Sequence, residues 1–432
     1  MRVVLSVLGL IGLMGCATEH APTFVIPGSD SEVGAPLKGA PMQAFEDGLI
    51  AFGKTENPGV GPIFNRRTCA ECHLNGAIGG AGDPLVTRIG QYVDGGFTPL
   101  ASVGGTLIQT ESLGKFISAD GQQCDVPKEQ IPDGALTIHR NSTPTFGMGL
   151  VDSMPDQWFE TLAAGQREAV RGIVNRVKVT LPDPADPSQQ VGSLRVGRFG
   201  WKSQTSSVVQ FSAEAGLNEI GVSSQHCSNG ASVDTFATEL APNGMQISLE
   251  CQDGVPGIDT AAGECLEGES KLAPEIQQIA TFMTFLSEPP SVVVVEDPSL
   301  VAQLELGQEM FQAAKCNECH IDSAFTTPQH PHTGVPGNHK FYPFSDFLLH
   351  DMGSLGDGFG INPGDGVEIG RLMRTAPLWG MRYRHLLLHD GRTADLNVAI
   401  TAHDGQGRES AEAYMAMDPE ERTALRKYCA SL

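Results

Sequence analysis

The chain has 432 residues, 40% of them apolar and 18% charged; that is too long for one compact core, since cores rarely grow past roughly 250–300 residues. Twenty-eight basic residues against 51 acidic ones leave a formal charge of −23, which excludes nucleic-acid binding by phosphate neutralisation and disfavours attraction to anionic lipid. Fifty-one glycines and 28 prolines put much of the chain into turns and long loops, and ten cysteines are too few for a disulfide-only scaffold.

At the N-terminus, Met1 and Arg2 precede an apolar run from Val3 to Leu13, which ends in Leu13-Met14-Gly15-Cys16. A run this short is a secretory signal, because a membrane span needs about 20 apolar residues. Its end resembles the bacterial lipobox, which implies cleavage of the signal and lipidation of Cys16; the alternative is an ordinary signal peptide with a chance cysteine. Ala17 stands where an Asp would otherwise retain such a protein, so the resemblance implies an outer-membrane anchor facing the periplasm. Residues 1–16 are thus the signal with its lipobox cysteine, and residues 17–38, rich in Pro, Gly and Ser, read as a flexible tether.

Two segments read Cys-x-x-Cys-His: Cys69-Ala70-Glu71-Cys72-His73 and Cys316-Asn317-Glu318-Cys319-His320. Two thiols at this spacing can each add to a vinyl group of one porphyrin, and the adjacent imidazole is then held beneath the ring as an iron ligand. The pattern predicts two covalently bound c-type haems, with Cys69, Cys72, Cys316 and Cys319 as attachment points and His73 and His320 as proximal ligands. A zinc site would need the two pairs to converge on one ion, and they lie far apart in the chain.

The surroundings repeat. Gly48-Leu49-Ile50-Ala51-Phe52 leads into the first motif and Gly307-Gln308-Glu309-Met310-Phe311 into the second. Leu300, Leu304 and Phe311 fall at helical spacing, with Gly307 on the same face. Downstream, Arg140-Asn141-Ser142-Thr143-Pro144-Thr145-Phe146-Gly147 corresponds to Arg374-Thr375-Ala376-Pro377-Leu378-Trp379-Gly380. Gly200-Trp201-Lys202 then follows in one half and His389-Asp390-Gly391-Arg392 in the other. Two haem domains of one plan are expected, residues 39–290 and 291–432, joined near Glu288-Pro289-Pro290.

Cys124, Cys227, Cys251, Cys265 and Cys429 remain, and in an oxidising compartment they should pair with one left over. Cys251 with Cys265, across a Gly/Pro-rich loop, is the best local pair; Cys124 with Cys227 is the second guess, leaving Cys429. Spacing alone does not fix the connectivity.

The segments CAECHLNGAIGG, RNSTPTFGMGLVDSMPD, GRFGWKSQ, NEIGV, YPFSDFLLHDMG, RTAPLWGMR and LHDGR together resemble the bacterial di-haem oxidoreductases of peroxidase type. These are relatives of the di-haem cytochrome c peroxidases and of the di-haem enzyme that matures methylamine dehydrogenase. The resemblance implies a mainly α fold, two cytochrome-c-like haem domains with long loops and a few short strands. It implies a six-coordinate C-terminal haem that relays electrons and an N-terminal haem with an open position where peroxide is cleaved. The distal ligand of the C-terminal haem falls, by this resemblance, on His403, where relatives can carry Met or Tyr; His/His ligation favours a lower potential than His/Met. Cleavage needs a proton carrier, and the family's Glu falls on Glu219 in Leu217-Asn218-Glu219-Ile220-Gly221. A solvated Glu, or a partner for Arg195 or Arg198, is the alternative. Gln210 is a weaker candidate for a hydrogen bond to a bound oxygen ligand.

Other residues keep two readings. His139, Met148 and Met154 are outside candidates for a distal ligand of the first haem. Trp201 and Trp379 are either core or rings between the haems. Arg140, Arg374 and Arg392 pair either with haem propionates or with interdomain carboxylates. His330, His332, His339 and His350 form either a loop metal site or a scatter of surface histidines, and His385 and His389 flank a turn. Calcium between the domains, known in relatives, has no clear ligand signature here. The expected chemistry is reduction of peroxide by a small redox donor protein, a cytochrome or cupredoxin, basic if it is steered to this acidic body. The alternatives are a non-catalytic electron-transfer cytochrome and a di-haem enzyme oxidising a protein or organic substrate.

Overall fold

A computed structural model describes residues 23–53, 60–100, 107–118, 120–183, 185–186, 190–234, 251, 259–261, 264–294 and 297–432. Among them are nine α-helices: α1 (Met42–Gly53), α2 (Met148–Asp152), α3 (Asp156–Gly165), α4 (Val208–Ala215), α5 (Pro274–Phe285), α6 (Pro298–Ala313), α7 (Leu396–Thr401), α8 (Arg408–Ala416) and α9 (Pro419–Ser431). Helices take up 33% of the structure and strands 20%. The strands form eight sheets of two or three strands among the described residues. The fold is mixed α/β, which corrects the expectation of a mainly α protein.

The physical reason lies in the segments that separate the repeated motifs of the first half. Leu85–Val93 and Leu136–Asn141 are rich in Val, Ile, Thr and Tyr, residues that suit a pleated, half-buried surface. They pair antiparallel from Leu85↔Asn141 to Gly90↔Leu136. A hairpin to Gly96–Thr98 closes the sheet through Asp94 and Gly95, both at positive φ (51° and 83°), the conformation a two-residue hairpin turn demands.

The lead-in repeat is helical in both halves. A Cβ on Gly48 of α1 would lie 2.3 Å from the carbonyl of Gln278 in α5, and one on Gly307 of α6 would lie 2.2 Å from that of Ala424 in α9. Each glycine is therefore the point where two helices touch backbone to backbone. Phe45 and Phe52 of α1 meet Phe282 at 5.2 and 4.9 Å between ring centres, and Phe311 of α6 meets Tyr428 at 5.6 Å. On α6 the buried face is Val301, Leu304, Gly307 and Phe311; Leu300, expected on that face, is only partly buried.

Cys16 and the rest of residues 1–22 lie outside the described residues. From residue 23 the segment read as a tether is packed. Phe24–Ile26 pairs antiparallel with Val292–Val294, between α5 and α6, and the rings of Phe24 and Tyr428 meet edge to face. No helix among the described residues is long and apolar enough to cross a membrane.

The disulfides are Cys124–Cys251 and Cys227–Cys265, so the four cysteines expected to pair do so with exchanged partners. The strand Ser223–Ser228 explains the exchange. Cys227 and Lys271 trade main-chain hydrogen bonds at 2.8 and 3.0 Å, which carries the segment around Cys265 to Cys227. Cys429 stays free and buried.

One buried ion cluster joins the halves. Asp357 accepts from Arg140 at 2.6 and 3.0 Å and pairs with Lys202 at 2.8 Å; all three side chains are almost wholly buried. Burial pushes the Asp357 carboxyl up, but Arg140 and Lys202 more than offset it and leave it below its ordinary value. Burial pulls Lys202 down to about 8. Replacing Asp357→Asn leaves two buried cations unpaired and should cost about 3–5 kcal/mol, read from urea denaturation of the haem-loaded protein at neutral pH. Because the folded-state carboxyl titrates below its unfolded value, its contribution is present at neutral pH and is lost as pH falls through the carboxylate range. The gap between wild type and variant should therefore narrow in acid; a gap below about 1 kcal/mol at neutral pH would show that the cluster does not hold the halves together.

Candidate haem sites

Each Cys-x-x-Cys-His motif opens on a single 3₁₀ turn, Cys69–Glu71 and Cys316–Glu318. Thr68 caps the first by accepting from the Glu71 amide; Lys315 enters the second through a left-handed conformation (φ 61°). Cys69, Cys72, Cys316 and Cys319 are free thiols. Burial pushes Cys69, Cys72 and Cys316 up to about 12, the reverse of the depressed value of a dithiol oxidoreductase. Each motif lines its own cavity.

In the second cavity His320 and His403 face one another, with ring centres 6.5 Å apart. Two imidazoles on opposite sides of one metal, each at about 2.0–2.1 Å, would have centres roughly 6–6.5 Å apart. The Nδ1 of His320 hydrogen-bonds the Phe344 carbonyl at 3.0 Å, and that of His403 the Ala399 carbonyl at 2.9 Å, which leaves Nε2 of each for a metal. The local sequence explains the pose. Asp395 caps α7 by accepting from the Asn397 amide, and His403 follows that short helix so that its ring folds back onto the last turn. Burial pulls His320 down to about 4 and lowers His403. Arg374 and Arg384 line the same cavity. Burial pulls both down to about 10. Arg374 bonds the carbonyls of Gly200 and Thr375, Arg384 bonds that of Pro377, and the Nε of Arg384 has no partner. Two deep guanidinium groups served only by carbonyls fit the propionates of a haem.

The first cavity is built differently. His73 Nδ1 bonds the Gly80 carbonyl at 3.1 Å, and burial lowers its pKa. Among the described residues lining this cavity His73 is the one imidazole, and none is a methionine. The wall instead carries Arg66, Arg88 and Glu219. Glu219 lies on the π-helical turn Gly216–Ile220 that extends α4, a local form common at functional sites. Gly221 ends the turn at φ 78°, and a Cβ there would strike the Ile63 carbonyl at 2.0 Å. Burial raises the Glu219 pKa, opposed by its hydrogen bond from Asn65 and by Arg88 and Arg66. Arg88 is pulled down to about 10 by burial and then by Arg140, and its Nε has no partner.

The remaining candidates separate cleanly. Gln210 is buried with its side chain donating to Glu214 at 2.8 Å and accepting from the Thr180 amide, and it does not line the cavity. Arg140 reaches the first cavity but its charge is taken by Asp357. Arg392 pairs locally with Asp390. His139 is exposed beside Thr87, and Met148 and Met154 are core residues. His332 faces Asp186, His339 pairs with Glu288 and His350 with Asp346, so these histidines form no common site, and His330 lines neither cavity. His385 pairs with Asp83 at the surface, while His389 lines the second cavity. Cys319, Asp346 and His350 do come together, at the second motif and with a thiol, which is not the oxygen set that calcium takes. Trp379 is core, its ring packed against Gly147. Trp201 lines both cavities and donates to the Asn141 carbonyl at 2.8 Å. Sequence reasoning missed Asn65, Arg66, Arg88 and Arg384; Asn65 and Arg66 stand just before the first motif and Arg384 closes the Arg374–Arg384 segment, so for these position was the available signal, and for Arg88, inside the strand Leu85–Val93, there was none.

Residues 117–432 match the family described as "Di-haem oxidoreductase, putative peroxidase". Comparison with curated proteins gave no match. Among solved structures, four chains match; one is a hydrazine synthase of Kuenenia stuttgartiensis pressurised with xenon, 13% identical over 100% of this chain and 99% of that one, with a TM-score of 0.35. A likeness that distant carries no argument.

The facing imidazoles generate a direct expectation. In haem-loaded protein, His403→Ala should convert one haem from low spin to high spin and leave the other unchanged, as read by electron paramagnetic resonance and visible absorption. His139→Ala should change neither. An unaltered spectrum in the first variant would mean that another group faces His320.

Proposed function

The chain belongs to the di-haem oxidoreductase family, and from that premise we propose that it reduces peroxide in the first cavity with electrons relayed through the second. The observation that carries this reading is the asymmetry of the two cavities. The second has an imidazole on each side. The first has His73 on one side and a half-buried carboxyl flanked by two guanidinium groups on its wall. A cytochrome that only transfers electrons would be expected to supply a second axial side chain there, and no described lining residue besides His73 does so.

We propose that two covalently attached haems would be held, one by Cys69 and Cys72 with His73 as a ligand, the other by Cys316 and Cys319 with His320 and His403 as ligands. Bound haem supplies the redox-active iron at which peroxide is reduced. The chain's own residues handle the protons. Glu219 takes the proton of one peroxide oxygen and returns it to the other, so that the oxygen–oxygen bond breaks toward water and not toward hydroxide. Arg88 and Arg66 stabilise the negative charge that develops on the departing oxygen. Two electrons from the donor and two protons from solvent complete the conversion of one peroxide to two waters. Trp201, shared by both cavity walls, lies on the short route between them. The net charge of −23 supports a basic redox protein as donor.

We also propose that Cys16 carries lipid and holds the protein at the periplasmic face of the outer membrane. Seven peptide steps separate Cys16 from Thr23, a reach of at most about 25 Å, so the packed strand at Phe24–Ile26 would stay close to the bilayer.

Glu219→Gln should lower kcat for peroxide by about 10²–10⁴-fold while leaving haem content and the low-spin spectrum of the second site intact; unchanged turnover would remove Glu219 from the chemistry. Cys16→Ser should move the protein from the membrane pellet to the soluble periplasmic fraction, and continued sedimentation with membranes would exclude the anchor.

A further inference from the structure

The carboxyl of Glu219 is not free to turn. Asn65, itself buried, donates from Nδ2 to Glu219 Oε2 at 2.7 Å. The opposite end of that amide is pinned: Asn65 Oδ1 accepts from the Thr110 main-chain N–H at 3.1 Å and from the Thr110 hydroxyl at 3.3 Å. A main-chain N–H can only donate, so the atom it meets is the amide oxygen. The NH₂ end must then face Glu219. The main chain reinforces the arrangement, since the Glu219 carbonyl accepts from the Asn65 amide at 2.8 Å. The Asn65 carbonyl in turn accepts from Arg66 at 2.9 Å.

We propose that Asn65, held by Thr110, is a positioning residue that reserves Oε2 of Glu219 as a hydrogen-bond acceptor and so assigns the mobile proton to Oε1. This deepens the peroxide reading and rests on it. A neutral carboxyl has one hydroxyl oxygen and one carbonyl oxygen, and the carbonyl is the better acceptor. With an N–H fixed against Oε2, the hydroxyl form belongs on Oε1. In the shuttle, Oε1 receives the proton from one peroxide oxygen and delivers it to the other. The same oxygen loses what it gained, so the residue ends each turnover in its starting state. Without the amide, the two oxygens become equivalent, the carboxyl rotates, and part of the population presents its proton away from substrate. The charged groups that face this carboxyl are Arg66 and Arg88, with the Cys72 and Cys69 thiols beyond. Neither guanidinium donates a hydrogen bond to the carboxyl among the described residues; both act on it by charge alone, so neither holds Oε2 in the amide's place.

The test uses full-length haem-loaded protein and three variants: Asn65→Leu, Asn65→Asp and Thr110→Val. Asn65→Leu should lower kcat about 10- to 100-fold with KM for hydrogen peroxide nearly unchanged. It should also move the Glu219 limb of the pH–rate profile upward, because the amide's hydrogen bond favours the charged carboxylate. Asn65→Asp places a second carboxyl against Oε2 and should move the same limb further upward. Thr110→Val keeps the main-chain donor and removes the hydroxyl, so its effect should have the same sign and be smaller; it also covers the case in which the Asn65 variants fail to load haem. Infrared difference spectra, with Glu219→Gln identifying the carboxyl band, give a readout apart from turnover: in Asn65→Leu the neutral C=O band should shift to higher wavenumber. If Glu219→Gln abolishes turnover while the Asn65 and Thr110 variants keep the wild-type pH profile and band position, the positioning role is overturned and the peroxide reading survives. If Glu219→Gln itself leaves turnover intact, Glu219 leaves the chemistry and the positioning role falls with it; if the wild-type protein turns over no peroxide, the peroxide reading itself falls.

Discussion

A single buried carboxylate sets the relation between the two cavities. Asp357 comes from the C-terminal half, while its partners Arg140 and Lys202 come from the N-terminal half, one ending the strand Leu136–Asn141 and the other in the Gly200-Trp201-Lys202 turn. Lys202 also donates to the carbonyls of Ile369, Gly370 and Leu372, so its ammonium is fully used without water. Next to these charges the main chain continues the seam: Asn141 donates to the His389 carbonyl and Arg374 to that of Trp201. Trp201, next to Lys202 in the chain, belongs to this seam and lines both cavities. Because a buried cation without its anion is costly, the halves cannot slide or swing without breaking the cluster, which ties the two cavities to one another beside the apolar packing.

The same repeated plan yields two unlike sites, and the difference traces to the chain downstream of each motif. Arg140 and Arg374 both lie at the end of a strand, and Gly147 and Gly380 both turn at positive φ into a helical segment. Past that point the halves diverge. The C-terminal half continues through a capped helix that delivers His403 over His320. The N-terminal half continues through α4 and its π-helical extension, which delivers Glu219 to the cavity wall and no second ligand among the described lining residues. One half thus sets two imidazoles face to face; the other leaves a polar, positively lined space of the kind that favours a developing negative charge.

Much of this was legible in the sequence because the chemistry leaves few substitutes. Cys-x-x-Cys-His, the Gly-x-x-x-Phe lead-ins and the repeated Arg-to-Gly turns marked both sites and the helix crossings at Gly48 and Gly307. The strands between Leu85 and Asn141 were also readable, from their β-branched residues and from Asp94-Gly95; they were hidden by the helical family likeness and not by any lack of signal. The disulfides were illegible for a different reason. Cys227 meets Cys265 because of a ladder to Lys271, and Cys124 meets Cys251 across 127 residues; neither contact is local, so proximity in sequence pointed the wrong way. Gln210 failed similarly: a residue in the first turn of a helix can face core or cavity, and the Glu214 partner one turn on decided for the core.

The three imidazoles proposed as iron ligands share one feature that separates them from the buried histidine beside the second motif. His73, His320 and His403 each set Nδ1 against a main-chain carbonyl, of Gly80, Phe344 and Ala399. His350, equally buried and next to Cys319, instead sets Nε2 against the Asp346 carboxylate at 2.9 Å. A carboxylate partner raises the basicity of an imidazole much more than a peptide carbonyl does. Burial pulls His350 down, but Asp346 and then the Cys319 thiol outweigh it and raise the ring, so both of its ring nitrogens are engaged within the protein. A carbonyl orients the ring while leaving it neutral, as ligation requires. For His320 that carbonyl belongs to Phe344, a non-glycine residue held at φ 52°, with Phe347 at 59° close behind. Such conformations cost on the order of 1–3 kcal/mol each and persist because both rings are buried. The left-handed turn at Phe344 is where a main-chain oxygen, and not a side-chain carboxylate, meets His320.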